Sequence, residues 1–423
     1  ALTISSGVTG DVEGMEGEAT NAVISLDSTG FSVSNINMSG ERLVNSWSAG
    51  DLTISNADFH ANSGETPIDL RTSGTVTLSE IALTGQFSSQ QNTFNAPWIG
   101  AALAGSGDYL ITSSNIESTD TALKASGTGT LSITDTEFTS DRLGLSFSGI
   151  SSTTLDNVSV IISSNGEMGI DILQGSHSFS DVDVHMPFNQ FASGSTGIET
   201  WWCDVDAGEI SVHGFADSMS VYESALVAED LNLLNSSRQG LYSSSSMIEV
   251  TDSLVTQVAD NGLIMVSSNA VLRTWTATFH EEGGIIDAES EVTVWALTSN
   301  SNLNSDVAGD GILNYGTSQA LTLNTVTNNR LWEMMVNFED LTGNSVDADW
   351  EVLGFSGTAS SGSATLPVSE SGSQITATFS GVGALSTPIG VQGGSHTIQV
   401  PIMPQGDWVL SAGTVVVLGP TED

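Results

Sequence analysis

The stretch Leu52-Thr53-Ile54-Ser55-Asn56 shows the sequence pattern that recurs most often in this chain. Two apolar residues alternate with two hydroxyl residues, and a small polar residue follows. Alternation with a period of two places the apolar side chains on one face of a β-strand and the polar ones on the other. The stretch therefore predicts a half-buried strand bounded by a tight turn.

The same five-residue pattern recurs along most of the chain, and six of the twelve intervals between copies are 21 or 22 residues long. A second motif, a small residue before two apolar residues spaced by two, precedes most copies, as in Gly169-Ile170-Asp171-Ile172. Each repeat therefore holds at least two strands separated by turns. The second apolar residues of the copies are Val33, Ile54, Leu78, Ile111, Ile133, Leu155, Phe179, Val212, Ala228, Val250, Leu272, Val294 and Leu323.

A repeat of this length favours a stack of coils, because one coil has too little apolar surface to form a core alone. A β-sandwich array would not keep such a register, and the leucine-rich-repeat consensus is absent.

The pattern resembles the right-handed parallel β-helix superfamily over about residues 1–330. The resemblance implies an all-β fold, a right-handed parallel β-helix of about 13 coils in residues 1–332. It implies no activity, because the superfamily contains lyases, hydrolases, adhesins and structural surface proteins.

Residues 333–423 no longer follow the coil pattern. They contain separate strand-like segments divided by Gly, Ser and Pro, and the stretch from Asp340 to Val346 resembles the hairpin entry of an immunoglobulin-like domain. We therefore expect a small Ig-like β-sandwich. The alternative is a segment that caps the open end of the β-helix.

The charge balance is strongly acidic, with 50 acidic and 7 basic residues and a net charge of −43. Such a surface repels nucleic acid and anionic lipid, and no run of 18 apolar residues exists, so we expect neither nucleic-acid binding nor membrane insertion. The sequence begins at Ala1, which suggests a removed signal peptide or a piece of a longer precursor. We expect an extracellular or cell-surface location.

One cysteine and three sequons complete the sequence features of a surface protein. Cys203 has no partner for an intramolecular disulfide, and we expect it to be a small buried residue. Three Asn-x-Ser/Thr sequons are candidate glycosylation sites, at Asn37, Asn157 and Asn235.

Two intervals of 33 residues interrupt the repeat, and each indicates an insertion of about eleven residues that is rich in aromatic side chains. Aromatic residues in loops can bind sugar rings or a protein partner, or they can cover the flank of the solenoid. The predicted contact residues are Phe94, Trp98, Phe188, Phe191, Trp201 and Trp202.

A run of alternating amide and carboxylate residues suggests a cation site. Ca²⁺ takes six to eight oxygen ligands and tolerates irregular geometry, so Asn302, Asn304, Asp306 and Asp310 are candidate ligands. The run has no EF-hand spacing, and the alternative is a solvated turn that binds no metal.

The scarcity of basic residues argues against the lyases of the superfamily, which need a base and cations to neutralise uronates. No motif fixes a catalytic residue, and we expect a protein that is not an enzyme. The leading hypothesis is an extracellular structural protein, a subunit of a filament or surface layer that self-associates through the β-helix ends and the aromatic loops. The first alternative is an adhesin or glycan-binding surface protein, and the second is an inverting glycoside hydrolase.

Overall fold

The structure is a computed structural model. The secondary structure of its described residues consists of β-strands, without a helix. It describes residues 2–4, 10–14, 16–19, 24–26, 30–47, 50–61, 66–85, 99–163, 166–187, 194–258, 260–300, 302–317, 319–380, 382–391 and 395–400. None of these residues forms an α-helix that could span a membrane.

In chain order, the strands are β1 Leu2–Ile4, β2 Gly10–Glu13, β3 Glu16–Ala19, β4 Ile24–Leu26, β5 Phe31–Gly40, β6 Val44–Ser46, β7 Leu52–Ala61, β8 Ile68–Thr72, β9 Thr75–Gly85, β10 Ile99–Gly105, β11 Asp108–Thr112, β12 Asn115–Ser118, β13 Thr121–Gly127, β14 Thr130–Ser140, β15 Leu143–Ser148, β16 Ser152–Ile162, β17 Met168–His185, β18 Thr196–His213, β19 Asp217–Tyr222, β20 Ala225–Ser236, β21 Gln239–Ser244, β22 Met247–Val258, β23 Asn261–Val266, β24 Asn269–Thr278, β25 Glu282–Ile286, β26 Glu291–Asn300, β27 Val307–Ala308, β28 Ile312–Tyr315, β29 Leu323–Asn324, β30 Thr327–Asp340, β31 Ala348–Val352, β32 Phe355–Ala359, β33 Ser363–Ser369, β34 Ser373–Phe379, β35 Gly383–Ile389 and β36 Ser395–Val400.

The chain forms two compact units. The first contains residues 1–292, 297–312 and 319–327, and the second contains residues 293–296, 313–318 and 328–423.

The first unit is a parallel β-solenoid of about 12 turns, which confirms the predicted β-helix. Each strand pairs in parallel with the equivalent strand of the next coil, as β14 does with β16, where Ile133 lies opposite Leu155. A coil has three faces. In one coil, β13 forms the first face, and the two halves of β14 form the second and third faces.

Inward side chains stack from coil to coil and form the core. Ile111, Ile133 and Leu155 are aligned in successive coils and have no exposed surface. Burial of each such side chain contributes about 1.5–3 kcal/mol, and stacking supplies the partners that a single coil lacks. The period-two pattern therefore places its apolar residues as predicted.

The corner between the second and third faces lies at the small polar or acidic residue that ends the repeat pattern. Seven such residues have φ between 48° and 55°, in the left-handed region that Asn and Asp tolerate better than most residues. Their side chains also contact each other between coils: Asn157 Nδ2 donates to Asp135 Oδ1 at 2.6 Å. The seven are Asn35, Asn56, Glu80, Ser113, Asp135, Asn157 and Asp181.

Two copies of the predicted repeat are out of register. Phe179 lies opposite Ala207, not one coil before Val212, so the interval is 28 residues and the next, to Ala228, is 21. Leu323 pairs with Val307 on the first face instead of the second. Both errors arise because the first and third faces also alternate with a period of two, so a local pattern does not identify the face.

The second unit contains strands in two sets of pairings. β30 pairs antiparallel with β33 and parallel with β36. A separate antiparallel sheet has the order β32-β31-β34-β35. Phe338 and Phe379 are buried, and their ring centroids lie 6.0 Å apart.

Candidate functional site

The corner between the first and second faces carries an exposed tryptophan. β18 turns this corner at Trp202, which has a φ of 53° and is 50% exposed. Equivalent left-handed residues in the same part of the solenoid are polar: Gln174, Glu223, Ser245 and Ser267. Trp202 is thus the one large apolar side chain among these five.

The conformation of Trp202 costs free energy that burial does not recover. A left-handed conformation costs a residue with a Cβ atom roughly 1–2 kcal/mol. A tryptophan that remains half exposed gains only part of its burial energy in return. The left-handed backbone recurs at the equivalent corners, so the exposed indole, and not the strain, marks this corner as a candidate site.

The Trp202 ring is held by its neighbours. Its Nε1 donates a hydrogen bond to Glu223 Oε2 at 2.8 Å, one coil further along. The adjacent Trp201 ring lies 5.5 Å away between centroids, tilted by 52°. These contacts orient one indole before any ligand arrives, which lowers the entropy cost of binding.

An aromatic band crosses three coils beside this corner. Trp201 lies opposite Tyr222 in the register of the first face, and the two rings stack with centroids 4.0 Å apart. Tyr242 in the next coil contacts Tyr222 with centroids 5.5 Å apart. Trp201 Nε1 also donates to Glu199 Oε1. The band makes this part of the surface stiff as well as aromatic.

A shallow groove runs along the corner, and we call it the corner groove. Its exposed lining combines an indole, a thioether, two carboxylates and a hydroxyl, from Trp202, Met247, Asp204, Glu223 and Ser245. Met247 is 56% exposed. An apolar platform bordered by hydrogen-bonding groups can bind a sugar, which has both apolar C–H faces and hydroxyl edges.

Carboxylates give the groove and its surroundings a negative field. Asp171 lies opposite Glu199 beside the aromatic band. Burial raises the pKa of Asp171, and the neighbouring Glu199 raises it further. A negative surface of this kind repels uronic acids and sulfated sugars.

Cys203 lies under the groove as the predicted small buried residue. It is 4% exposed, and burial raises the pKa of its thiol. Its backbone N–H donates to Ser224 Oγ at 3.1 Å. Cys203 therefore contributes to the corner and not to the ligand surface.

Trp201 and Trp202 lie on strand β18 and not in an inserted loop as the sequence suggested. Four other predicted contact residues, Phe94, Trp98, Phe188 and Phe191, lie outside the described residues.

The three predicted glycosylation sites are exposed. Asn37 lies within β5, whereas Asn157 and Asn235 have left-handed backbones.

Of the four candidate Ca²⁺ ligands, Asn302 and Asp306 lie together. Asn302 turns its amide nitrogen, not its oxygen, toward Asp306 Oδ1 at 3.1 Å. Asp306 Oδ2 accepts the backbone N–H of Thr322 at 2.7 Å. Asn304 and Asp310 are exposed. These hydrogen bonds stabilise the loop, and the Ca²⁺ assignment stays a prediction.

Sequence reasoning missed a cluster on the third face, formed by Asp183, His185 and His213. Burial alone would raise the pKa of Asp183, but hydrogen bonds from the two imidazoles outweigh it and hold this pKa well below its ordinary value. The Asp183-x-His185 spacing was a visible signal. The partner His213 was not visible, because the interval between these two coils is 28 residues instead of 22.

A scan against models of protein families matches no family, and searches of curated proteins and of solved structures find no significant match.

Proposed function

We propose that this chain is a non-enzymatic extracellular surface protein whose solenoid presents the corner groove to neutral glycans. The observation that carries the proposal is Trp202, a half-exposed tryptophan in a left-handed corner, oriented by Glu223. The folded chain leaves half of this indole exposed, and a ligand that covers it would bury that apolar surface.

Rigidity supports the same proposal. The groove lies on paired strands of a parallel solenoid, and side chains on such elements are held more precisely than side chains on loops. A rigid aromatic anchor loses little entropy on binding.

Electrostatics indicates the class of glycan. Asp204 and Glu223 border the groove, and the whole chain carries a net charge of −43. Carboxylates accept hydrogen bonds from sugar hydroxyls but repel anionic sugars. The proposal therefore names neutral hexose-based glycans and excludes uronates.

A glycan array followed by calorimetry tests the proposal. Trp202→Ala should weaken binding of a neutral glycan by more than about tenfold, because aromatic anchors at interface centres contribute at least about 1.4 kcal/mol. Trp47→Ala is the matched control, since Trp47 is 64% exposed but lies far along the chain, where it packs against Arg71.

Three results would contradict the proposal: no glycan bound, equal binding by Trp202→Ala and the wild type, or a preference for acidic glycans. Release of reducing ends from a bound glycan would instead establish the hydrolase alternative.

We propose end-to-end self-association as a second candidate function, favoured by the first coil. β1 pairs with β4, while β2 and β3 pair with β5, and the described residues provide no partner for the other edge of these three strands. Such an edge can pair with another chain. Like charge opposes this unless salt or divalent cations screen it. Electron microscopy across NaCl and chelator titrations tests it, and a monomer under every condition would exclude it.

We also infer that the solenoid is right-handed and belongs to the β-helix superfamily, because parallel crossover connections are right-handed in about 98% of cases. The two sets of paired strands in the second unit support an Ig-like domain in residues 333–423. A crystal structure would test both inferences.

A further inference from the structure

Three potential metal ligands converge on the outer side of the third face. Asp183 and His185 lie two residues apart on β17, so both side chains point outward from the solenoid. His213 lies on β18, directly opposite His185 in the parallel register. All three side chains are partly buried, with His185 the least exposed at 24%.

The distances between the three groups are short. Asp183 Oδ2 lies 2.9 Å from His185 Nδ1, and Asp183 Oδ1 lies 3.2 Å from His213 Nε2. The two imidazole rings are parallel within 3°, with centroids 5.0 Å apart. The candidate ligand atoms all lie within 4.8 Å of one another.

We propose that Asp183, His185 and His213 form a surface binding site for Zn²⁺. Two imidazole nitrogens and one carboxylate oxygen are the donor set that Zn²⁺ and neighbouring transition metals prefer. Ca²⁺ and Mg²⁺ take oxygen ligands, so this site discriminates against both.

The fold preorganises this donor set. Strand pairing holds His185 and His213 one coil apart, and ring stacking keeps their planes parallel. Zn–N distances of about 2.0–2.1 Å require only small rotations of three side chains whose ligand atoms already converge. The ring nitrogen that binds the ion presents its lone pair, and the other ring nitrogen carries the proton.

Small side chains flank the carboxylate of the site. Ser159 and Ser211 flank Asp183 in the adjacent coils, and both are small. Three protein ligands leave the fourth position of a tetrahedral ion to water. The negative charge of the chain also raises the local concentration of cations.

The chain contains an internal comparison for this site. Asp58 and His60 on β7 repeat the Asp-x-His spacing on the third face of an earlier coil. The residue opposite His60 is Thr84, whose Oγ1 lies 2.7 Å from His60 Nδ1. This pair therefore has the carboxylate and one imidazole but not the second imidazole, and it should not bind Zn²⁺ tightly.

Isothermal titration with ZnCl₂ tests the proposal on the full chain, in excess CaCl₂ so that Ca²⁺ occupies sites formed by carboxylates alone. The wild type should bind one equivalent of Zn²⁺. His185→Ala and His213→Ala should each weaken binding by more than about tenfold, because even changes around the ligands of a metal cost that much. His60→Ala should bind like the wild type.

A second readout does not depend on heats of binding. Zn²⁺ should raise the unfolding temperature of the wild type and of His60→Ala, but not that of His185→Ala or His213→Ala. Circular dichroism establishes that each variant is folded. The proposal would be overturned if the wild type bound no Zn²⁺ in excess Ca²⁺, or if all four proteins bound Zn²⁺ with equal affinity.

Discussion

The backbone N–H of Ser224 donates a hydrogen bond to the Oγ of Ser246, one coil further along, across 3.1 Å. The same contact joins Ser246 to Ser268 and Ser268 to Ser290, each at 3.0 Å. These serines follow the left-handed corner between the first and second faces, where the backbone leaves the sheet. Their hydroxyls therefore satisfy N–H groups that would otherwise be buried without a partner.

Ser246→Ala should lower the free energy of unfolding by about 1–3 kcal/mol, because it leaves the buried N–H of Ser224 without its acceptor. Ser243→Ala is the matched control three residues away. The Ser243 hydroxyl is also buried but has no hydrogen-bond partner among the described residues. Its removal should be neutral or stabilising in urea denaturation. Equal destabilisation by both changes would contradict this account of the serine contacts.

Gly127→Ala should destabilise the solenoid by at least about 1–3 kcal/mol. Gly127 has a φ of +120°, and a Cβ atom there would lie 2.0 Å from the carbonyl oxygen of Gly105 in the preceding coil. Gly208→Ala is the control, since its Cβ would meet nothing closer than 3.9 Å. That variant should stay within about 0.5 kcal/mol of the wild type in the same assay. A stable Gly127→Ala protein would show that the coils can separate at this corner.

His280 should make the solenoid sensitive to acid. It is fully buried, its Nε2 lies 3.0 Å from the carbonyl oxygen of Thr256, and burial lowers its pKa to about 4. In the unfolded chain the imidazole takes up a proton below about pH 6.5, but in the folded chain only near pH 4. The stabilising contribution is therefore complete above about pH 6.5 and is lost as the pH falls toward 4, by at most about 3 kcal/mol.

Urea denaturation between pH 7 and pH 4 measures this effect as the difference between the wild type and His280→Gln, because the many carboxylates titrate in both proteins. The pH dependence should be steeper in the wild type. Parallel curves would show that His280 takes up its proton in the folded state without cost.

Thr84→His should create a second Zn²⁺ site. It places an imidazole opposite His60, in the register that His213 has opposite His185, with Asp58 in the place of Asp183. Calorimetry in excess Ca²⁺ should then give two equivalents of Zn²⁺ instead of one. Thr77→His is the control, because Thr77 lies opposite Thr53 on the second face. A stoichiometry that does not rise in Thr84→His would contradict the geometry inferred for the natural cluster.

The sequence predicted the coil architecture well, and the Leu131 to Asp135 stretch shows why. Its inward Leu and Ile and its corner Asp are local features, and their alternation alone separates core from surface. By contrast, the prediction that one copy of the repeat centres on Val212 was wrong. The length of the preceding connection, not the local pattern, decides which residue of β18 lies opposite Phe179.

The amino-acid pattern alone predicts that this chain stacks short strands into a parallel solenoid, which residues of most coils face inward, and where many corners fall. These properties depend on side-chain alternation and on turn residues, both of which act within a few positions of the chain. The contact of Glu223 with Trp202, and the convergence of Asp183 and His185 with His213, became visible only in the folded structure. Each of these contacts joins two coils, and the register between coils depends on the full length of the connection between them.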